Sequence, residues 1–139
     1  MNDTQHHIFL TGSTGYIGKH IALILLQRGY NVTASMRNRK IQEPELRKTL
    51  SKHLNKEDKE LPSWESRLSC VELDLSSDES TWREALSTRV NNQCVSVLIH
   101  LASPCPVKHP KTEDEVIQPC LTGSYKSTRK CLLHHRWRR

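Results

Sequence analysis

A doubly wound parallel α/β sheet, truncated to about four strands in the spatial order 3-2-1-4, is the fold class this sequence predicts. Three observations carry that expectation. Strand-like and helix-like segments alternate along the chain. A glycine-rich turn, Thr11-Gly12-Ser13-Thr14-Gly15-Tyr16-Ile17-Gly18, sits where the first strand meets the first helix. The segment Val95-Ser96-Val97-Leu98-Ile99 is nearly continuous in apolar residues, the pattern of a strand covered on both faces.

The elements follow in order. Ile8-Phe9-Leu10 is the first strand. After the turn, Ile17, Ile21, Ile24 and Leu25 recur at helical spacing and Ala22, Leu23 and Leu26 widen the apolar face, which predicts a largely buried helix that Gly29 ends. Asn31 to Met36 reads as the second strand, rich in β-branched residues. Glu43 to Leu54 reads as a polar helix opened by Pro44, and 55–60 as a charged, exposed connection. Leu68 to Leu75 is the third strand. Ser77-Asp78-Glu79-Ser80 caps a helix to about Arg89, Cys94 to Ala102 is the fourth strand, and a last helix starts around Thr112 to Glu115.

Composition narrows the class. The chain has 139 residues, the size of one domain. Its longest apolar run, Ile21 to Leu26, has six residues, against the roughly 20 that cross a bilayer. The polar start, Met1 to His7, lacks the pattern of a secretory signal, so a cytoplasmic setting and no membrane are expected. Five widely spaced cysteines without a Cys-x-x-Cys pair predict reduced, mostly buried thiols rather than disulfides or zinc. Of the 21 Lys and Arg, six lie in residues 126–139 with no acid among them, leaving 15 to balance 15 acids in the body. Residues 1–124 then form the folded unit and 125–139 a basic tail. Nucleic acid is not the expected partner, because the tail alone would have to bind it.

The turn carries the chemistry. Unpaired N–H groups and the positive end of the dipole at a helix start attract phosphate. Gly12 allows the tight turn, Gly15 lets backbone approach a pyrophosphate, and Gly18 lets the helix lie close on the strand. The spacing Gly-x-x-Gly-x-x-Gly is one residue longer than the dinucleotide fingerprint Gly-x-Gly-x-x-Gly. Arg37 ends the second strand nineteen residues past Gly18, where an NAD site places an acid for the ribose 2′-hydroxyl. A guanidinium there, with Lys40 or Arg39 as a second cation and no carboxylate from Met36 to Ile41, suits a 2′-phosphate, hence NADP(H) over NAD(H). The plainer reading of Arg37 is an exposed strand-end residue. Asp74 either accepts a hydrogen bond from an adenine amino group or caps the following helix. His100 either touches cofactor or is a satisfied buried histidine.

Taken together, Thr11 to Gly18, Arg37, Val71-Glu-Leu-Asp-Leu75, His100-Leu-Ala-Ser-Pro104 and Pro119 with Gly123 resemble the extended short-chain dehydrogenase/reductases of the NAD-dependent epimerase/dehydratase superfamily. The nearest branch is the dihydroflavonol-reductase-like one. The resemblance covers residues 7 to about 124 and implies a Rossmann-type domain. It implies that Gly12, Gly15, Tyr16, Ile17 and Gly18 form the pyrophosphate turn, with Arg37 and Lys40 at the 2′-phosphate. Asp74 and Leu75 would meet the adenine, and Leu101, Ala102 and Ser103 the nicotinamide-side ribose. The family's catalytic Ser or Thr and Tyr-x-x-x-Lys pair are missing from this sequence. Tyr125 and Arg129 mimic the spacing with the wrong cation, in the helix before a fifth strand. The resemblance thus implies the cofactor-holding portion of a truncated oxidoreductase that moves hydride between NADPH and a small carbonyl or alcohol substrate. A non-catalytic, redox-sensing dinucleotide module and a basic-tailed protein that binds RNA or acidic partners are the alternatives. Without a fifth strand, the free edge of the fourth invites self-association.

Overall fold

The computed structural model describes residues 6–54, 62–103 and 111–134. The charged run 55–60, Cys105 and the last five residues lie outside them. In chain order the elements are β1 (His7–Thr11), α1 (Tyr16–Gln27), β2 (Asn31–Met36), α2 (Arg39–Ser51), α3 (Trp64–Arg67), β3 (Leu68–Glu72), α4 (Glu79–Leu86), β4 (Arg89–Val90), β5 (Gln93–His100) and α5 (Asp114–His134).

The sheet runs β3-β2-β1-β5-β4. β1 pairs parallel with β2 (Ile8 opposite Val32) and with β5 (Phe9 opposite Leu98), and β2 pairs parallel with β3 (Ala34 opposite Cys70). The expected order 3-2-1-4 stands, with β5 in the fourth place. One addition was not foreseen: β4 pairs antiparallel with β5 through Arg89–Cys94 and Val90–Gln93. Asn91 and Asn92, at φ 50° and 62°, make the turn between them, a conformation asparagine tolerates better than most residues.

Side chains alternate across the sheet and build a core on each face. Leu10, Val32 and Ala34 meet Ala22 and Leu26 of α1 and Leu46 and Leu50 of α2. Phe9 points the other way, onto Leu73 and the Trp82, Ala85 and Leu86 stripe of α4. Helices on both faces are the doubly wound arrangement. No helix among the described residues is long and apolar enough to cross a membrane.

Several expectations are corrected. α1 buries Gly18, Ala22 and Leu26, while Ile17 and Ile24 stay 64% and 46% exposed. The small residues win because they let the helix axis approach the sheet. α2 begins at Arg39, so Pro44 lies inside the helix instead of opening it. The earlier start has its own cap: Asn38 accepts from Ile41 N, and Gln42 Oε1 accepts from Asn38 N at 2.9 Å. β3 ends at Glu72 and α4 at Leu86, each three residues short of the reading. β5 is half-buried instead of covered on both faces, with Val97 38% exposed. Cys70 is buried, but Cys94 is exposed and Cys120 intermediate. Gly29 does end α1, at φ 85°, with Gly29 N bonded to Leu26 O and Tyr30 N to Leu25 O, the paired bonds of a Schellman cap. α5 starts where expected and crosses residue 125 without a break.

Candidate functional site

The glycine turn is shaped by contacts that no side chain survives. Gly12 sits at φ +71°, and a Cβ there would lie 2.8 Å from Ala102 N and 2.9 Å from Leu101 C. A Cβ on Gly18 would lie 2.0 Å from Gly12 O and 2.8 Å from Ser13 Cα. Both glycines are demanded by backbone packing. Gly15 is different: its Cβ would touch only Gly12 O, at 3.4 Å, so the space it keeps open lies on the cleft side.

The start of α1 is electrically open. Gly15 is the N-cap, no side chain caps the helix, and its first turn holds no acid. In contrast, Asn38, Ser63 and Asp78 each cap their helix with a side-chain acceptor. The first N–H groups of α1 have no partner within the helix, and they carry the positive end of its dipole.

In front of this helix start is a cleft of about 470 Å³ at the carboxyl ends of the parallel strands, a size ordinary for a small-molecule site. Thr11, Gly12, Thr14 and Gly15 line it from the turn and Ser35, Met36 and Arg37 from the end of β2. The segment Leu73 to Ser76 after β3, Trp82 of α4, Leu101 to Ser103 after β5 and Pro119 of α5 complete the wall. Six separate parts of the chain therefore meet where a doubly wound sheet binds ligands.

Eight of the residues singled out in the sequence line this cleft: Gly12, Gly15, Arg37, Asp74, Leu75, Leu101, Ala102 and Ser103. Tyr16, Ile17 and Gly18 form the first turn of α1 instead, and the Tyr16 side chain is 81% exposed. Lys40 lies one turn away, lining a separate shallow hollow with Arg39, Glu43 and Glu72. Arg39 is committed there. Its Nε donates to Glu43 at 2.7 Å and its backbone N to Glu72 at 3.0 Å, and the Glu43 hydrogen bond and charge raise its pKa.

Asp74 does not cap α4, since Asp78 does. Its Oδ1 accepts from Ser76 N at 2.8 Å and Ser76 Oγ at 2.5 Å. Those bonds, with a contribution from the Arg37 charge, hold its carboxyl below the usual range. Asp74 is therefore an anion facing the cleft. His100 is a half-buried histidine bonded through Nδ1 to Thr11 Oγ1 at 2.7 Å, and it does not line the cleft. Thr11 Oγ1 also accepts from Leu101 N at 3.0 Å and Ala102 N at 3.1 Å. At the far rim, a Cβ on Gly123 would meet Leu75 Cδ2 at 2.9 Å, so this glycine lets α5 close on the cleft wall.

Thr14, Ser35, Ser76 and Trp82 were not singled out. The first three follow the general signal, residues at the carboxyl ends of parallel strands. Trp82 was legible only as a core position of α4.

The family described as "Male sterility protein", an NAD-binding one, matches residues 10–134. A bifunctional dihydroflavonol 4-reductase/flavanone 4-reductase of Malus domestica is 30% identical over 131 residues, 94% of this chain and 33% of its own length. The dihydroflavonol 4-reductase of Solanum lycopersicum is 32% identical over 89% of this chain and 28% of its own length. The chain thus spans about a third of the length of these relatives. Among solved structures, the yeast methylglyoxal/isovaleraldehyde reductase complexed with NADPH superposes with a TM-score of 0.64 at 20% identity, covering 92% of this chain and 32% of that one. Likeness at that identity concerns the fold.

Proposed function

The chain belongs to this NAD-binding family, in the dihydroflavonol-reductase-like branch of the extended short-chain dehydrogenase/reductases, and we propose that its cleft holds NADP(H) in preference to NAD(H). The uncapped, acid-free start of α1, opening onto the cleft beside Gly12 and Gly15, carries this reading. The pyrophosphate lies against the backbone of Gly12, Gly15, Tyr16 and Ile17, with the Gly15 N–H closing the turn onto Gly12 O at 3.1 Å and Gly18 holding the helix in place. Arg37 takes the 2′-phosphate with a guanidinium fork, supported electrostatically by Lys40 from the neighbouring hollow. Asp74 and Leu75 face the adenine. Leu101, Ala102 and Ser103 lie along the nicotinamide-side ribose.

When bound, the nicotinamide supplies a hydride donor or acceptor. The residues of this chain bind and orient it. The sequence holds no Tyr-x-x-x-Lys pair for proton transfer, so the role proposed for these residues is to bind and orient the dinucleotide. Calorimetric titration at physiological salt with NADP⁺, NAD⁺ and a short RNA tests the proposal. Binding of NADP⁺ at least about tenfold tighter than NAD⁺, a difference of roughly 1.4 kcal/mol, is expected. Binding of RNA alone, lost on deleting 126–139, would refute it.

A further inference from the structure

We propose that His100 is a positioning residue for the cleft: by accepting the Thr11 hydroxyl proton on Nδ1 it orients that hydroxyl toward the Leu101 and Ala102 amides, and it makes dinucleotide affinity acid-sensitive. The inference rests on the cofactor reading above. A hydroxyl has one proton and two lone pairs. Leu101 N, at 3.0 Å, and Ala102 N, at 3.1 Å, both donate to Thr11 Oγ1 and use both lone pairs. The 2.7 Å contact with His100 Nδ1 is therefore made by the Thr11 proton. That assigns the ring its tautomer, neutral with hydrogen on Nε2.

Protonation of His100 breaks this arrangement. An imidazolium presents N–H at Nδ1, so Thr11 Oγ1 would face three donors with two lone pairs while its own proton lost its acceptor. The tether on Leu101 and Ala102 loosens. That segment forms one wall of the cleft, close enough that a Cβ on Gly12 would lie 2.8 Å from Ala102 N. Among the described residues, β1 presents Thr11 to the ring and α4 presents Trp82, its ring centroid 6.4 Å away. From α5, Cys120 reaches Ser103 Oγ at 3.4 Å. Burial alone lowers the proton affinity of His100, so the neutral ring dominates at pH 7 and the charged one enters in acid.

The test is calorimetric titration of NADP⁺ into the full chain at pH 7.5 and 5.0, for the wild type, His100→Leu and His100→Asn. Asparagine keeps an acceptor near the Nδ1 position and does not titrate. On the loss of one hydrogen bond, wild-type affinity is expected to fall about tenfold in acid beyond the slope of the 2′-phosphate itself. His100→Leu is weak at both values. His100→Asn recovers most of the loss at pH 7.5 and shows the 2′-phosphate slope only. Equal slopes in wild type and His100→Asn would overturn the inference and leave the cofactor reading intact. No dinucleotide binding at either pH would overturn both. Imidazole ¹⁵N shifts at pH 7.5 give a second reading free of ligand: hydrogen on Nε2 is expected, and hydrogen on Nδ1 would refute the positioning role.

Discussion

Gly18 and Gly15 make a matched pair, because one is required by the protein and the other, on this reading, by the ligand. A methyl at Gly18 would sit 2.0 Å from Gly12 O, 2.7 Å from Gly12 C and 2.8 Å from Ser13 Cα. Relaxed contact with that oxygen needs well over 1 Å more, and backbone cannot rotate away as a side chain can. Overpacking of this kind costs about 3 kcal/mol, offset by up to about 1 kcal/mol for alanine over glycine in a helix. Gly18→Ala should therefore lose roughly 2 kcal/mol, a fall in Tm of about 6–10 °C for a chain of this size. It should also lose dinucleotide affinity, since α1 must tilt away from the turn. Gly15→Ala meets only Gly12 O at 3.4 Å, at φ −72°. Its stability should stay within about 0.5 kcal/mol of wild type, while NADP⁺ binding weakens at least about tenfold as the methyl enters the cleft. Urea unfolding and calorimetry on both variants separate the two effects. Wild-type stability in Gly18→Ala, or wild-type affinity in Gly15→Ala, would refute the reasoning for that position.

Arg37→Glu should weaken NADP⁺ about tenfold or more and leave NAD⁺ nearly unchanged, because it replaces a charge-assisted contact with repulsion; parallel titrations decide it, and an equal loss for both would remove the 2′-phosphate role. His7 donates through Nδ1 to Gln93 O at 2.9 Å and bonds Thr33 Oγ1 through Nε2 at 2.8 Å, and burial lowers its pKa from 6.5. The native state then binds a proton less readily than the unfolded one, so this contribution is complete above pH 6.5 and is lost as pH falls toward the lower native value. The urea midpoint should drop between pH 7.5 and 5, and His7→Gln should flatten that dependence. Arg67 is buried and donates to Leu26 O at 2.8 Å and Pro62 O at 2.9 Å, tying the end of α1 to α3. Arg67→Leu should cost about 2–4 kcal/mol in urea unfolding, since it strands buried carbonyls. Among the described residues β4 covers only Gln93 and Cys94 of the outer β5 edge, so the chain should self-associate along Val95–His100; a single monomeric species in sedimentation at tens of micromolar would contradict this.

The turn from Thr11 to Gly18, the strand order and the end of α1 were legible along the chain because each depends on local chemistry. Positive φ at Gly12 and Gly29 needs glycine, and parallel strands joined by helices admit one hand of crossover. Eight of twelve expected site residues reach the cleft for the same reason: they sit at strand ends, and a doubly wound sheet brings strand ends together. Rotation and distance were not legible. Periodicity could not decide that α1 turns Gly18, Ala22 and Leu26 inward and leaves Ile17 and Ile24 outside, because the close approach of two backbones at Gly12 and Gly18 chose the face. Nor could it place Lys40 beyond the cleft wall or bring His100 to Thr11, 89 positions earlier. Sequence alone determined the fold and the location of its glycine-rich turn, because conformational preference is a property of neighbouring residues. Only the tertiary structure decided which side chains face the cleft and which hold its walls, because hydrogen bonds and steric contacts form between atoms that folding brings within a few ångströms.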